Sequence, residues 1–313
     1  MDCLLLSICI PTYNRARVLE ESIQRLVSYK SFDADVELVI ADNCSTDDTQ
    51  QVGERYASRY DNVRYFRNQE NILDGNFVNV LDKGRGRYLK LMNDWCRPTE
   101  QGLAAMKQFH ANQPNDDTPV FFTSGWARPK GDSLISCKGL DDYVRAASVM
   151  VTFNNLFGTW KSDWDTLTDK ERFKQLKLQQ VDWTYRLVSG RGCLLFNDPV
   201  IEFSPEMNHK VRQGYNYFEV MLDNYYAIMQ RFVDQGLLQR TTMEKDERHF
   251  LQHFRPELFQ ALVCHTGKYW NYDTTGTWKR LFAHYGRKPY FYGYIAALPF
   301  QWLFHASVRD FGK

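Results

Sequence analysis

The stretch Leu4-Leu5-Leu6-Ser7-Ile8-Cys9-Ile10-Pro11-Thr12-Tyr13-Asn14-Arg15 decides how this chain folds. It is a compact apolar run ended by Pro11, a residue that cannot donate to a strand ladder. Apolar residues at nearly every position, rather than at alternate ones, are what a parallel strand covered on both faces shows. Downstream, Val18, Leu19, Ile23, Leu26 and Val27 form a helical stripe over residues 16–29. Val36-Glu37-Leu38-Val39-Ile40-Ala41 is a second strand that ends at Asp42-Asn43. Ser45-Thr46-Asp47-Asp48 then caps a helix over 49–59, with acids in its first turn. A third strand over 62–66, a short helix over 76–81 and a fourth strand over 86–92 complete the series. Strand–helix–strand alternation predicts an α/β fold, with a parallel sheet and helices on both faces.

Past about residue 100 the pattern loosens. A helix is expected over 100–110, a strand over 119–124, a helix over 181–188 and a strand over 193–196. From Tyr215 the chain turns helical, and residues 269–304 hold 13 aromatic rings, which marks a third region. The whole chain has 313 residues, with 39 Lys and Arg against 38 Asp and Glu, a net charge of +1. That balance excludes nucleic acid as the main partner, because phosphate binding needs a surplus of cations. The apolar share of 43% excludes a disordered or low-complexity chain. Seven scattered cysteines without a C-x-x-C pair predict neither a disulfide framework nor a zinc ribbon, but a reduced, intracellular protein. Met1-Asp2-Cys3 lacks the basic start of a signal peptide, and no segment reaches the roughly 18 apolar residues of a membrane span.

In an open parallel sheet, ligands bind beyond the carboxyl ends of the strands. Three such ends carry polar residues: Pro11-Thr12-Tyr13-Asn14-Arg15, Asp42-Asn43-Cys44-Ser45-Thr46-Asp47, and Asn93-Asp94. Any one of them reads as an ordinary cap or turn. Three together point to one crevice offering hydroxyls, amides, a guanidinium and carboxylates.

Ile8-Cys9-Ile10-Pro11-Thr12-Tyr13-Asn14-Arg15 and Glu37-Leu38-Val39-Ile40-Ala41-Asp42-Asn43-Cys44-Ser45-Thr46-Asp47, with Glu70-Asn71-Ile72 and Gly86-Arg87-Tyr88-Leu89 after them, resemble the family 2 glycosyltransferases of GT-A fold. The nearest flavour is the bacterial O-antigen and capsule sugar transferases of the abequosyltransferase-like group. The resemblance is good over about residues 4–110 and loose over 175–205. It implies a Rossmann-like GT-A domain, with a nucleotide-sugar-binding half over 1–100 and an acceptor-binding half over 101–214. A helical C-terminal region over 215–313 follows. It further implies that Pro11, Thr12, Tyr13, Arg15, Asp42, Asn43, Asn71, Asn93 and Asp94 line the donor site, with Asp42 on the base. The implied reaction is inverting transfer from a nucleotide sugar, UDP-sugar favoured, to a glycan or lipid-linked saccharide in surface polysaccharide synthesis. Such a displacement needs a base for the acceptor hydroxyl and positive charge on the departing diphosphate.

The chain departs from the family where a run of aspartates usually holds ribose and a divalent cation. Here the run reads Met92-Asn93-Asp94-Trp95-Cys96, which leaves one carboxylate. Mg²⁺ or Mn²⁺ held by Asp94 and donor phosphates, with His209 as a further ligand, is one expectation. Neutralisation of the diphosphate by Arg97, Lys210 and Arg212 is another, and a nucleotide-sugar-binding protein that has lost catalysis is the third. In Gln180-Val181-Asp182-Trp183-Thr184-Tyr185-Arg186, Asp182 matches a family acidic residue and is the expected general base, with Asp163 and Asp165 as rivals. A helix N-cap is its plainer role. His249 and His253 lie four apart on a helix, and Lys83-Gly84-Arg85-Gly86-Arg87 lacks the G-K-[ST] of a phosphate loop, so neither predicts a site. No G-x-G-x-x-G follows the first strand, which disfavours a dinucleotide oxidoreductase. The aromatic segment 290–304, with basic flanks, suits either peripheral contact with the inner face of the cell membrane or packing within the protein.

Overall fold

The computed structural model describes residues 4–113, 115–128, 130–204, 215–253, 258 and 273–297. Its centre is a five-stranded sheet in the order β3-β2-β1-β4-β8. The strands are β1 (Leu6–Thr12), β2 (Val36–Asp42), β3 (Val63–Arg67), β4 (Tyr88–Leu91) and β8 (Gly158–Trp160). The first four run parallel, and β8 closes one edge antiparallel to β4. Alternate side chains of these strands enter two cores, which is why the apolar runs have no polar face. Ile8, Ile10, Leu38 and Ile40 meet Leu19, Ile23 and Leu26 of α1 (Ala16–Leu26) and Val52 of α2 (Thr49–Arg59). Cys9, Val39, Ala41, Leu89 and Leu91 meet Val78, Val80 and Leu81 of α3 (Gly75–Asp82) on the other face. The expected mostly parallel sheet with helices on both sides is therefore what forms.

The polar interruption in β2 has its own account. Glu37 is buried, and its carboxylate accepts from Ser7 Oγ at 2.6 Å, the Arg85 backbone N–H at 2.6 Å and Arg64 at 3.1 Å. It thus ties the loop before β4 to β1 and β2. Gly86 belongs to that loop because a Cβ there would sit 2.6 Å from the Ser7 nitrogen. The stretch 83–87 is structural, as its sequence suggested.

The later elements are β5 (Cys96–Pro98), α4 (Glu100–Ala111), β6 (Val120–Phe122), β7 (Leu134–Cys137), α5 (Leu140–Ala147), α6 (Lys161–Thr166), α7 (Gln179–Val188), β9 (Cys193–Phe196) and β10 (Ile201–Phe203). They make a three-stranded sheet, β6-β9-β7, and a two-stranded ribbon, β10-β5. A π-helical turn, Glu219–Asn224, leads into α8 (Tyr225–Asp234), then α9 (Arg240–His253) and α10 (Thr277–Tyr285). Strands 119–124 and 86–92 are shorter than the sequence predicts, and β8 was not legible at three residues.

The C-terminal helices share a core with the sheet, since Tyr225, Phe250, Leu281, Tyr285 and Phe291 belong to the cluster that contains Val39 and Leu91. Of the aromatic segment, 290–297 is described and 298–304 lies outside the described residues. Phe291 is fully buried against Tyr285 and Phe282, whereas Tyr292 is exposed. Among the described residues no helix is long and apolar enough to cross a membrane. Cys9, Cys44, Cys96, Cys137 and Cys193 carry free thiols.

Candidate active site

Strand register assembles the site. Thr12 pairs with Asp42 across β1 and β2, and Cys9 pairs with Leu91 across β1 and β4, so the three polar strand ends emerge side by side. Thr12 Oγ donates to Asp94 Oδ2 at 2.9 Å, and Arg15 Nε lies 3.9 Å from the same oxygen. Ser22 of α1 donates to the Asp94 carbonyl at 2.7 Å, which fixes the turn from behind. Asp94 is 5% exposed. Burial lifts its carboxyl to about 6, against the opposing pull of Arg15, Thr12 and the Trp95 backbone N–H. On the other side of the turn, the Asn93 N–H donates to Asn155 Oδ1 at 2.5 Å, and buried Lys90 donates to the Asn155 carbonyl.

Asp42 is fully buried, and the protein itself uses its oxygens. Oδ1 accepts from the Ser45 N–H at 3.0 Å and from Ser45 Oγ; Oδ2 accepts from Tyr65 OH at 2.6 Å and from Arg67 at 3.5 Å. Asn43 is the hinge of an amide ladder. It donates to Asn71 Oδ1 at 2.8 Å and the Leu73 carbonyl at 3.1 Å, and accepts from the Ile72 N–H and Asn68. The loops after β1 and β2 also interlock: Asn14 N–H donates to Ser45 Oγ, and the Thr46 N–H returns a bond to Asn14 Oδ1. Asn14 (φ 52°) and Cys44 (φ 63°) take left-handed backbone to make these turns. Tyr13 projects, 44% exposed, and Pro11 is half-buried beneath it.

Thus Thr12 and Arg15 both reach Asp94, and Asp42, Asn43 and Asn71 form the adjoining wall. Sequence reasoning missed Tyr65, Arg67, Asn68 and Asn155, which reach the site from β3, the loop after it and the short helical turn Asn154–Leu156. No local pattern distinguishes them.

The donor set for a cation is Asp94 alone among the described residues, where no group of three His, Cys, Asp or Glu side chains comes together. Cys96 is fully buried with its thiol pushed well up, so it is no ligand. His209, Lys210 and Arg212 lie outside the described residues. Arg97 is turned away from the strand ends and paired with Glu202 at 2.7 Å and Glu21 at 3.2 Å. One carboxylate fits Mg²⁺ or Mn²⁺ only when substrate phosphates and water complete the shell.

Asp182 lies on α7, whose first residues reach towards the site: Gln179 donates to the Asp74 carbonyl and Gln180 to the Thr152 carbonyl. Its carboxylate is closed, however. It is 1% exposed, both oxygens accept from Arg172, and Arg186 stands 3.6 Å from Oδ2. Burial outweighs these guanidiniums and raises its carboxyl above the ordinary range. Of the rivals, Asp163 pairs with Arg191 and Asp165 with Lys161.

Residues 7–128 match the family model described as Glycosyl transferase family 2. The chain is 31% identical to the abequosyltransferase RfbV of Salmonella typhimurium, over 35% of this chain and 34% of that protein. It is 33% identical to a GalNAc(5)-diNAcBac-PP-undecaprenol beta-1,3-glucosyltransferase of Campylobacter jejuni, over 43% and 40%. The matches therefore span well under half the length of these curated relatives. S. aureus TarS 1-349 in complex with UDP-GlcNAc superposes with a TM-score of 0.56 at 15% identity, over 90% of this chain and 82% of that one. A mannosyltransferase of Pyrobaculum calidifontis in complex with GDP-Man and Mn²⁺ gives 0.51 at 15%, over 94% and 80%. The fold is GT-A, and residues 7–128 match the family 2 glycosyltransferase model and are similar to a stretch of an abequosyltransferase.

Proposed function

We propose that this chain is an inverting glycosyltransferase, taking a sugar from a nucleotide-sugar donor to a glycan or lipid-linked saccharide acceptor in bacterial surface polysaccharide synthesis. The observation that carries the reading is the junction of Thr12, Arg15 and Asp94 at adjacent strand ends, beside the Asp42–Asn43 wall, inside the segment that matches family 2. A lipid-linked acceptor is supported by the undecaprenol-linked substrate in the name of the Campylobacter relative, and it would place the work at the inner face of the membrane.

In this reading the nucleotide lies across the ends of β1 and β2, with Pro11 and Tyr13 over the base. Asp42, closed off by Ser45 and Tyr65, does not meet the base as the sequence suggested but braces the wall on which the base rests. Asp94 accepts from ribose hydroxyls. A divalent cation, when bound there with the donor diphosphate, supplies charge for the leaving group. Arg15 adds a guanidinium at the same place, and a fixed cation aimed at developing negative charge lowers the barrier.

Asp182 carries a second reading. Its position at the start of α7 and its raised carboxyl suit a general base. The arginine clamp favours an anchor that ties the loop carrying Arg172 to α7, and that is the role we assign to the state described.

Calorimetry with UDP, GDP, CDP and TDP, with Mn²⁺ and then EDTA, tests the donor site, and nucleotide release from the matching sugar donor tests transfer. One nucleotide should bind, and its binding should weaken with EDTA. If none binds, the reading fails; if one binds and no donor is ever turned over, the protein is a binding module that has lost catalysis.

A further inference from the structure

Four aromatic rings stand together directly beside Asp94. Trp95 and Phe203 lie 5.8 Å apart at 20°, and Trp126 and Phe203 6.0 Å apart at 7°, so three rings are nearly parallel. Phe153 tilts across all three, at 5.7 Å from Trp95, 4.9 Å from Trp126 and 6.2 Å from Phe203. Phe203 is 44% exposed, and the others are half-buried. Trp95 and Phe153 rest on the core behind them, and Phe203 presents an apolar ring to solvent beside the candidate site, a surface on which a ligand can pack.

The cluster is built into the candidate site from several elements. Trp95 follows Asp94 in the chain. Phe203 pairs with Cys96 across β10 and β5, and the next N–H, from Ser204, donates to the Trp95 carbonyl at 2.9 Å. Phe153 lies two residues from Asn155, which receives the Asn93 N–H. Trp126 comes from the loop after β6, where its N–H bonds to the Thr123 carbonyl. The platform is thus continuous with the turn that presents Asp94.

The neighbouring charge selects among occupants. Glu202 and Glu21 pair with Arg97 and Arg25 on the face of the ribbon opposite Phe203, and Asp94 lies beyond Trp95 with Arg15 Nε 3.9 Å from its carboxylate. The charges around the cluster pair off three to three, without the surplus of basic residues that an anionic membrane surface favours. Flat aromatic faces beside the Asp94 carboxylate and the Arg15 guanidinium suit a pyranose, whose C–H face is apolar and whose edge is hydroxyls. We infer that Trp95, Trp126, Phe153 and Phe203 form the platform on which a sugar ring of the acceptor stacks. The inference rests on the transferase reading and names where its acceptor lies.

The test follows tryptophan emission while UDP-loaded protein is titrated with the methyl glycosides of glucose, galactose, mannose, rhamnose, N-acetylglucosamine and N-acetylgalactosamine. One glycoside should give a saturable shift. Phe203→Ala should weaken it at least tenfold, Phe203→Tyr should retain it, and both should bind UDP as the wild type does, which also shows that they fold. Trp126→Phe should keep the affinity and reduce the amplitude. No shift with any glycoside overturns the proposal whatever UDP does. A shift only with phosphatidylglycerol–phosphatidylcholine vesicles overturns it too, in favour of a lipid contact. A glycoside shift lost in Phe203→Ala, in a protein that binds no nucleotide, upholds the platform and removes the donor reading instead.

Discussion

Replacing Asp182 with Ala leaves Arg172 and Arg186 facing each other across the space of a buried carboxylate. Removing one partner of a buried ion pair costs about 3–5 kcal/mol, mostly for the charge left behind. The Arg172 and Arg186 side chains keep 30% and 19% of their exposure, so each can turn its charge towards water once Asp182 is gone, although Arg186 Nη1 is buried here, and the lower end applies, about 3 kcal/mol. At roughly 2 °C per kcal/mol for a chain of this size, the melting temperature should fall by about 6 °C. Asp182→Asn keeps one acceptor and should cost about half as much. Pairing Asp182→Ala with Arg172→Met removes one of the two stranded charges and should recover part of the loss, a coupling that a double-mutant cycle in urea reads directly. The same variants are assayed for nucleotide binding and sugar transfer. An anchor predicts lost stability, with transfer falling only as far as the folded fraction does. If Asp182→Ala melts with the wild type while transfer drops a hundredfold and UDP still binds, the anchoring argument is refuted and the carboxylate is the base.

Asp94 should confer a pH dependence on metal-assisted nucleotide binding. With its carboxyl at about 6, affinity in Mn²⁺ should hold above pH 7 and fall up to tenfold per unit below 6; Asp94→Asn should give a flat, weak profile by calorimetry. Asp246 is 5% exposed, bonded to Ser148, Tyr225 and Tyr226, and likewise raised to about 6 by burial. The folded state then takes up a proton before the unfolded one, so this group disfavours folding above pH 6, by roughly 3 kcal/mol, and the penalty fades towards pH 4. Urea titrations at pH 5 and 7 should show that Asp246→Asn loses this part of the slope; an unchanged slope would assign it elsewhere. Asn43→Ala strands the Ile72 N–H and the Asn71 and Asn68 side chains, and should cost about 2 kcal/mol while weakening UDP binding at least tenfold. Equal UDP affinity in that variant would mean the amide ladder is not part of the donor site.

The central sheet was legible because its signal is local. Runs such as Leu38–Ala41 are buried on both faces, so every residue reports burial and no partner needs to be known. The three polar strand ends were legible for the same reason, since a parallel sheet with consecutive βαβ units leaves few choices for where they meet. Outside that sheet, β8 has three residues and pairs with a strand 70 positions earlier. The aromatic platform draws on residues 95, 126, 153 and 203, and a window that sees one ring cannot see the other three.

What each carboxylate does was decided at the tertiary level. The sequence by itself placed Asp42, Asp94 and Asp182 at the ends or starts of elements, because hydrophobic period and capping chemistry are read within a few residues. Only the packed structure closed Asp42 with Ser45 and Tyr65, set Asp94 against Thr12 and Arg15, and clamped Asp182 under two arginines. A carboxylate's role depends on its desolvation and on charges within a few ångströms, and those neighbours arrive from strands and loops far apart in the chain.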